Sequence, residues 1–317
     1  MDSEHLEFLV QIATWYYEEN LSQREIARRI GLSRSMVSRL LREAREQGLI
    51  EIRVRYPLKM DSVLQTRLCE TFACSQALVL SVPPKNQSTL LRRLGELGAR
   101  CLRQRLHNDI RIGIGWGTAV YEVVRAMPSL PISGAMVVQI IGSVGSGDPT
   151  VDGSEMAHCL DQKLNAVSRC LHAPLIVENE MTARVLFQDP VIAETLALAC
   201  EVEVALLGVG TTNPLASGLL RAGYVSKADL KELQEAGAVG DILGWHLDAH
   251  GSPLDISINR RVIGINPETL RSIPMVIVVA SGAIKVPAIL ATLRGGYVDV
   301  LVTDAVTASS ILALQED

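Results

Sequence analysis

The stretch LSQREIARRIGLSRSMVSRLLREAREQG, residues 21–48, predicts two short helices joined at Gly31. Ser22 is placed to cap the first helix, and Glu25, three residues further on, completes a capping box. Gly31 supplies the sharp turn because glycine reaches positive φ without steric cost. Ser33 can then cap the second helix. This order of caps and turn is typical of a helix-turn-helix.

The second helix separates an apolar face from a basic one. Apolar residues spaced i, i+3, i+4 and i+7 predict an inward stripe of Val37, Leu40, Leu41 and Ala44. Arginine and serine remain on the outward side, and these side chains suit guanine edges and phosphates in a major groove. The candidate DNA-binding residues are Ser22, Gln23, Ser33, Arg34, Ser35, Ser38, Arg39 and Arg42. An ordinary helical hairpin with a solvated basic face is the alternative interpretation.

Charge is distributed unevenly along the 317 residues. The whole chain carries a net charge of −5, whereas residues 21–55 hold nine Arg, no Lys and four Glu, a local charge of +5. A basic segment on an acidic protein is typical of a DNA reader with a separate domain for another task. The length exceeds one typical domain. We therefore expect a DNA-binding head at 1–57 and a body at 58–317 that begins with a linker helix at 58–74.

Two segments flank the predicted helix pair, whose first helix should run from Gln23 to Ile30. Residues 4–19 predict an earlier helix that packs on the pair through Leu6, Leu9, Val10, Ala13 and Tyr17. Residues 49–56, LIEIRVRY, alternate as a strand and form either the wing of a winged helix or a plain edge strand. The linker helix, with its apolar side chains between Met60 and Phe72, could pass between domains or between subunits.

From Ala77 onward, short β-branched runs alternate with amphipathic helices. The strand candidates are Ala77–Val82, Ile110–Ile114, Met136–Ile141, Leu175–Val177, Val202–Val209, Met275–Ala280 and Val298–Thr303. The main helix candidates are Ser88–Leu106, Thr118–Met127, Gly153–Asn165 and Lys285–Arg294. Continuous apolar strands flanked by helices indicate a parallel sheet covered on both faces. The predicted fold class is α/β, with an all-α head, winged or not, and a doubly wound, mostly parallel body.

Glycine-rich turns follow four of these strands. They lie at Gly113–Thr118, Gly142–Gly145, Gly208–Thr212 and Ala280–Lys285. Ligands of open α/β sheets bind beyond the carboxyl ends of the strands, and helix N-termini there offer N–H groups to anions. Lys285 adds a full positive charge, so a small-molecule site is expected. None of the turns matches the P-loop or the dinucleotide fingerprint, so the sequence does not support nucleotide binding.

Several single residues have two interpretations. Asp241, in the turn Gly237–Ile242, could accept hydrogen bonds from sugar hydroxyls or cap a helix. Asp152 could belong to a loop beside the site or cap the following helix. Trp116 and Trp245 could stack on a ligand or fill a core. The scattered histidines, His158, His172, His246 and His250, are interpreted as structural.

Cysteine usage and hydropathy bound the environment. The six cysteines show neither C-x-x-C spacing nor a neighbouring His at metal-finger spacing, so no metal site is expected. Reduced, mostly buried thiols in a cytosol are the better interpretation. The N-terminus has no signal-peptide pattern, and the longest apolar run, about ten residues, is far below the ~20 needed to span a bilayer. We expect a soluble cytoplasmic protein without a cofactor or a membrane partner.

The head and the body together resemble a known family. Its head, L-S-Q-x-E-I-A-R-x-x-G-L-S-R-x-x-V-S-R-L-L-x-x-A-R-x-x-G-L, resembles the SorC family of bacterial sugar-responsive transcriptional regulators. The body segments Gly113–Thr118 (GIGWGT), Gly237–Ile242 (GAVGDI) and Lys285–Asp304 are similar to that family's effector domain. The resemblance covers nearly the whole chain. The chain departs from a frequent family pattern at Ser281 and at Ala305, where many members have Gly and Glu.

The resemblance implies a regulator rather than an enzyme. It implies a body like the phosphosugar isomerases and deaminases that has lost catalysis, no catalytic residues, and a homo-oligomer, dimer or tetramer, on double-stranded operator DNA. A sugar or sugar phosphate would be the effector. The family's ligand positions would fall on Gly115, Thr118, Gly210, Thr211, Asp241 and Lys285, and the glycine turn after the third strand adds Gly142 and Ser143.

Two functions from other classes remain open. An active phosphosugar isomerase or deaminase with an appended head would need a general base in the pocket, and Asp241 is the sole acid in the main glycine turns. A constitutive architectural DNA-binding protein would use the body only to oligomerise. Enzymatic turnover would support the first, and absence of ligand-dependent thermal stabilisation would support the second.

Overall fold

The computed structural model describes residues 3–50, 58–84, 86–145 and 152–316. The chain forms two compact units, Met1–Pro57 and Leu58–Asp317. Within the described ranges, no helix has both the length and the apolar character needed to traverse a lipid bilayer.

The head unit contains three helices, α1 (Ser3–Tyr17), α2 (Gln23–Ile30) and α3 (Arg34–Glu46). The predicted caps and turn are confirmed. Ser22 forms the capping box with Glu25, Gly31 has φ +68°, and Ser33 accepts a hydrogen bond from the N–H of Met36. Local side-chain chemistry thus defines both helix boundaries of the helix-turn-helix.

The core of the head lies between the three helices. The stripe predicted for α3 is confirmed, since Val37, Leu40, Leu41 and Ala44 are all buried. The inward face predicted for α1 is partly wrong. Val10 and Tyr17 are exposed, and Ile12 and Trp15 are buried instead, because α1 turns its 9, 12, 13 and 15 positions toward α2 and α3. The segment predicted as a wing or edge strand falls mainly on residues 51–57, outside the described residues.

The body unit contains the remaining helices and ten strands. The helices are α4 (Ser62–Phe72), α5 (Gln87–Arg103), α6 (Thr118–Ala126), α7 (Gly153–Leu164), α8 (Glu180–Gln188), α9 (Pro190–Ala199), α10 (Gly218–Arg221), α11 (Lys227–Glu235), α12 (Pro267–Ser272), α13 (Val286–Arg294) and α14 (Ala305–Glu316). The strands are β1 (Gln76–Leu80), β2 (Arg111–Ile114), β3 (Met136–Gln139), β4 (Val167–Arg169), β5 (Val204–Leu207), β6 (Gly210–Thr211), β7 (Gly240–Ile242), β8 (Trp245–Leu247), β9 (Met275–Val279) and β10 (Val300–Asp304).

Seven strands form one parallel sheet in the order β1-β10-β9-β5-β2-β3-β4. The chain proceeds outward from β2 through β3 to β4, then returns to β5 and proceeds in the opposite direction through β9 to β10. The strand order therefore reverses between β2 and β5, and a crevice opens at such a reversal on the carboxyl side of the sheet. The short strands β6, β7 and β8 pair antiparallel in a separate sheet.

Two apolar clusters cover the two faces of the parallel sheet. One joins the sheet to α5, α6 and α7, and the other joins it to helices that include α4, α13 and α14. The predicted doubly wound α/β body is confirmed. The linker helix α4 lies on the body itself, where Leu68 is fully buried beside β1, while Val63 is 68% exposed.

Two other expectations for the body are wrong. Residues 175–177, predicted as a sheet strand, form only an isolated bridge between Ile176 and Val262. This segment is apolar because it crosses the core, and the last strand of that side of the sheet is β4 instead. The thiols are less buried than expected: Cys74 and Cys101 are buried, Cys200 is exposed, and Cys69, Cys159 and Cys170 are intermediate.

Candidate functional site

A cavity of about 220 Å³ lies at the point where the strand order reverses. It is lined by residues that follow β2 and β5, by residues of α10 and β7, and by the turn after β9. The lining residues are Gly115, Trp116, Gly117, Thr118, Ala119, Leu207, Gly208, Val209, Gly210, Ala216, Gly218, Leu219, Arg221, Ala222, Asp241, Leu243 and Lys285. Three of the four predicted glycine turns thus meet at one crevice.

The N-terminus of α6 opens into this cavity. Gly117 precedes the helix with φ +109°, a conformation that side-chain-bearing residues rarely adopt, and within the described chain no side chain caps the helix. The first N–H groups of a helix have no acceptor inside it. At α6 they can donate to an anion, and the helix dipole favours negative charge at the same place.

Lys285 contributes a cation to the lining of the cavity. It ends a short 3₁₀ turn, Ala283–Lys285, immediately before α13. Its Nζ donates a hydrogen bond of 2.7 Å to the carbonyl oxygen of Val209. Burial lowers the pKa of this ammonium group, and the nearby Asp241 carboxyl opposes that shift. An anionic ligand would strengthen the charged form in the same way.

Asp241 lies on β7 with only 5% of its surface exposed. Its carboxylate accepts a hydrogen bond of 3.2 Å from the N–H of Gly244. Burial raises the pKa of Asp241, and His246, Gly244 and Lys285 oppose the shift. Because Asp241 is inside a strand, the helix-cap interpretation is wrong. A Cβ at Gly210 would stand 1.9 Å from Asp241 Oδ1, so glycine is required where β6 passes this carboxyl group.

Two polar residues, His246 and Asn259, lie near Asp241. His246 lies opposite Asp241 in the register of β7 and β8 and is 1% exposed. Asn259 Oδ1 accepts from the backbone N–H of His246 at 2.8 Å and lies 3.3 Å from His246 Nδ1. Burial lowers the pKa of His246, and Asp241 opposes the shift. The histidine is thus a buried structural group.

Five of the eight predicted effector residues line the cavity: Gly115, Thr118, Gly210, Asp241 and Lys285. The other three do not. Thr211 is buried, and its hydroxyl accepts from the N–H of Asn213. Ser143 is hydrogen-bonded to Gln139 and Tyr224, and Gly142 approaches Pro174 so closely that a Cβ would stand 2.4 Å from its carbonyl oxygen. These contacts are structural ones within the body.

Sequence reasoning missed Arg221 and the apolar wall formed by α10. Arg221 is a second cation of the cavity, at the end of the four-residue helix α10. A helix this short has no periodicity to detect, and the Ser217 N-cap was its one local signal. Trp116, for which two roles were open, lines the cavity, whereas Trp245 does not.

The outward face of α3 is the candidate nucleic-acid surface. Arg34, Arg39 and Arg42 are exposed, and within the described residues no ion pair or hydrogen bond engages their side chains. Other arginines of the head are already used: Arg29 stacks on Trp15 at 4.4 Å, and Arg45 donates to Tyr17. Of the remaining candidates, Ser35 is exposed, Gln23 and Ser38 are half-buried, and the hydroxyls of Ser22 and Ser33 serve as caps.

Two family models match the chain. A sugar-binding domain matches residues 56–313, and a Crp-like helix-turn-helix domain matches residues 6–60. This chain belongs to the SorC family of sugar-binding transcriptional regulators. The match spans the body that holds the cavity and the head that holds α3. Like its family, the chain is a transcriptional regulator and not an enzyme.

Several regulators are similar to this chain over most or nearly all of its length. The deoxyribonucleoside regulator of Bacillus subtilis is 30% identical over 98% of this chain and 99% of its own length. The full-length sorbitol operon regulator SorC of Klebsiella pneumoniae is 28% identical, covers 98% of this chain and 100% of the solved chain, and superposes with a TM-score of 0.73. A DeoR family regulator from Listeria monocytogenes is similar, with a TM-score of 0.73 and 28% identity over 78% of this chain and 98% of the solved one.

Proposed function

We propose that this regulator binds a sugar or sugar phosphate in the cavity between β2 and β5, and that this ligand controls operator binding by the head. One observation carries the proposal: a free helix N-terminus, a half-buried lysine and a buried carboxyl group line one crevice at the reversal of the sheet. Cations and free N–H groups suit a phosphate, and a carboxyl group suits sugar hydroxyls.

The phosphate would lie between the N-terminus of α6 and Lys285. The N–H groups that follow Gly117 donate to phosphate oxygens, and the hydroxyl of Thr118 adds a further donor. Lys285 supplies the charge, and Arg221 adds a second one from α10. Asp241 would then accept hydrogen bonds from the hydroxyl groups of the sugar.

The head would place α3 in the major groove of operator DNA. Support comes from the exposed arginines Arg34, Arg39 and Arg42, which have the charge and the geometry for bases and phosphates. A single three-helix head contacts a short site, so we infer that the protein acts as a homo-oligomer, a dimer or a tetramer. Two heads would then read half-sites about one helical turn, ~34 Å, or a multiple of it apart. Such a protein works in the cytoplasm, where the operator is.

Coupling between cavity and head requires differential affinity. A ligand alters DNA binding only if it prefers one arrangement of the subunits to another. A constitutive architectural protein would have no ligand, and it would bind DNA equally well with and without a sugar or sugar phosphate. The cavity and its buried charges favour the regulated protein.

A thermal-shift panel tests the effector site. The full-length protein is heated with inorganic phosphate, unphosphorylated sugars and sugar phosphates. A true ligand at one hundred times its Kd stabilises the folded body by about 2.7 kcal/mol, which raises Tm. Stabilisation by at least one sugar or sugar phosphate, lost in Lys285→Met, is the expected result. No stabilisation by any of them would contradict the proposal.

A further inference from the structure

Trp116 forms a flat apolar wall of the cavity. It follows β2 directly, is half-buried, and lies beside the N-terminus of α6, where the phosphate is proposed to bind. Its indole also contacts both apolar clusters of the body, which restrain its orientation. An aromatic face held at the edge of a cavity can pack against an apolar ligand surface.

Gly218 restrains the indole of Trp116, and Gly208 lies against the backbone of the same residue. A Cβ at Gly218 would stand 2.9 Å from Cη2 and 3.2 Å from Cζ3 of Trp116, so the six-membered ring lies directly against the first residue of α10. A Cβ at Gly208 would stand 3.7 Å from the carbonyl oxygen of Trp116. The tryptophan therefore bridges the end of β2 and α10, and its ring has little space to turn.

The other walls divide into polar and apolar parts. Asp241, Lys285 and Arg221 are the charged side chains, while Leu219 and Leu243 add to the apolar surface. A ring-closed sugar has the same division, because its hydroxyls project at the edge and its C–H groups form a face. An open-chain sugar has no such rigid face and would lose rotational freedom on binding.

We propose that the effector binds as a ring-closed sugar phosphate whose C–H face stacks on Trp116, and that Gly218 sets the plane of that stacking. This inference rests on the proposed effector site and makes it more specific. The volume of about 220 Å³ fits a single sugar ring with its phosphate better than a dinucleotide. Trp116 thereby selects the ring form, while Lys285 and α6 hold the phosphate.

Matched pairs of sugar-phosphate probes distinguish binding of the ring form from binding of the open-chain form. The locked rings are 1,5-anhydroglucitol 6-phosphate and 1,4-anhydroribitol 5-phosphate, and the open chains are glucitol 6-phosphate and ribitol 5-phosphate. Binding to the full-length protein is measured by calorimetry. The ring form of at least one pair should bind about tenfold more tightly than its open partner, the scale of packing a face on an aromatic ring. In Trp116→Leu and in Gly218→Ala the two forms should bind within about threefold of each other.

Trp245→Phe is the matched control, because Trp245 lies outside the cavity, and it should keep the ring preference. Trp116→Phe keeps a smaller aromatic ring and should show an intermediate preference for the ring form. This variant tests the stacking even if Trp116→Leu does not fold. Ring-form ligand should also change tryptophan fluorescence in Trp245→Phe and not in Trp116→Phe.

If ring-form and open-chain sugar phosphates bind the wild type equally tightly, the stacking inference is wrong and the effector site stands. If no phosphate binds at all, both are wrong.

Discussion

At the scale of single residues, the effector site depends on charges that burial makes costly. Lys285 and Asp241 each have a pKa shifted toward the neutral form, and each partly offsets the shift of the other. A phosphate adds a negative charge beside Lys285 and so stabilises the ammonium form. A bound sugar phosphate would therefore depend strongly on Lys285.

Replacing Lys285 by Met tests this directly. The variant keeps most of the unbranched side chain and removes its charge, so binding of a sugar phosphate should weaken about ten- to hundredfold, the value of a charge-assisted hydrogen bond. Lys231→Met is the control, since Lys231 is exposed on α11, where it pairs with Glu235. Calorimetric titration of both variants measures the effect. Equal affinity for the two variants would place the phosphate elsewhere.

His246 gives the protein a defined pH dependence. Burial holds its pKa below the ordinary value of 6.5. As the pH falls below 6.5, the unfolded chain gains a proton at this residue and the folded chain does not, so stability decreases, by at most about 1.4 kcal/mol per pH unit. Above pH 6.5 the contribution is constant. Asp241, whose pKa is raised by burial, acts in the opposite direction, since the folded chain then binds the proton more tightly than the unfolded chain.

Urea unfolding between pH 5 and pH 8 measures this contribution. The loss of stability on acidification should be smaller in His246→Gln than in the wild type. His250→Gln, at an exposed position, should retain the wild-type slope. Identical slopes in all three proteins would show that His246 takes up its proton in the folded state.

At the scale of elements, the head is where the sequence predicts most accurately. Its boundaries come from short-range chemistry: Ser22 with Glu25, the glycine at 31, and Ser33 with the N–H of Met36. Each lies within three residues of its partner, so sequence spacing alone is sufficient. The face of α1 was misjudged because the apolar Val10 and Tyr17 suggested burial, and only packing decides which face turns inward.

Gly31 offers a test of the turn between α2 and α3. Its φ of +68° is unfavourable for alanine, while a Cβ built there would meet no more distant atom of the described residues within 4 Å. Gly31→Ala should therefore destabilise the head by about 1 kcal/mol through backbone strain alone. Gly31→Asn should cost less, because asparagine tolerates this conformation better. Thermal unfolding of the three proteins gives the comparison, and an alanine variant as stable as wild type would contradict the turn.

The outward face of α3 carries the prediction for DNA binding. Arg39 is exposed and has no side-chain partner within the described residues, so Arg39→Ala should leave folding unchanged. A lost base contact should cost about 1–3 kcal/mol of operator affinity, and a lost phosphate contact should lower the salt slope by about one. Arg184→Ala, on the body helix α8, is the control. Fluorescence anisotropy at several salt concentrations measures the operator affinity and its dependence on salt. An unchanged operator affinity would mean that another face of α3 contacts the DNA.

Among the strands of the body, the longer ones were predictable from the sequence and the shortest ones were not. Strands of four or five buried residues were found within a few residues of their true ends. The strands β6, β7 and β8, of two or three residues, were not, because only their pairing with each other makes them strands. Asp241 could be named from its glycine turn, but its burial and its partner His246 come from contacts that close only in the folded chain.

At the scale of the whole molecule, the reversal of strand order decides where the ligand site forms. The turns after β2, β5 and β9 are far apart in the chain and adjacent in the sheet, so their glycines and Lys285 meet at one edge. The turn after β3 is also at that edge, yet Gly142 and Ser143 pack against other parts of the body. The sequence was enough to place the four turns at one edge of the sheet. It could not show which of them line the cavity.

The central claim is that the metabolite in the cavity controls the head on DNA. The decisive measurement is the operator affinity of the full-length protein, at fixed salt, with and without a saturating effector found in the thermal-shift panel, on an operator selected from random DNA. We predict that the effector changes operator Kd by about five- to 150-fold in the wild type, and that Lys285→Met keeps the effector-free Kd but loses the change. An operator Kd that is the same with and without effector, or a full response in Lys285→Met, would contradict the account.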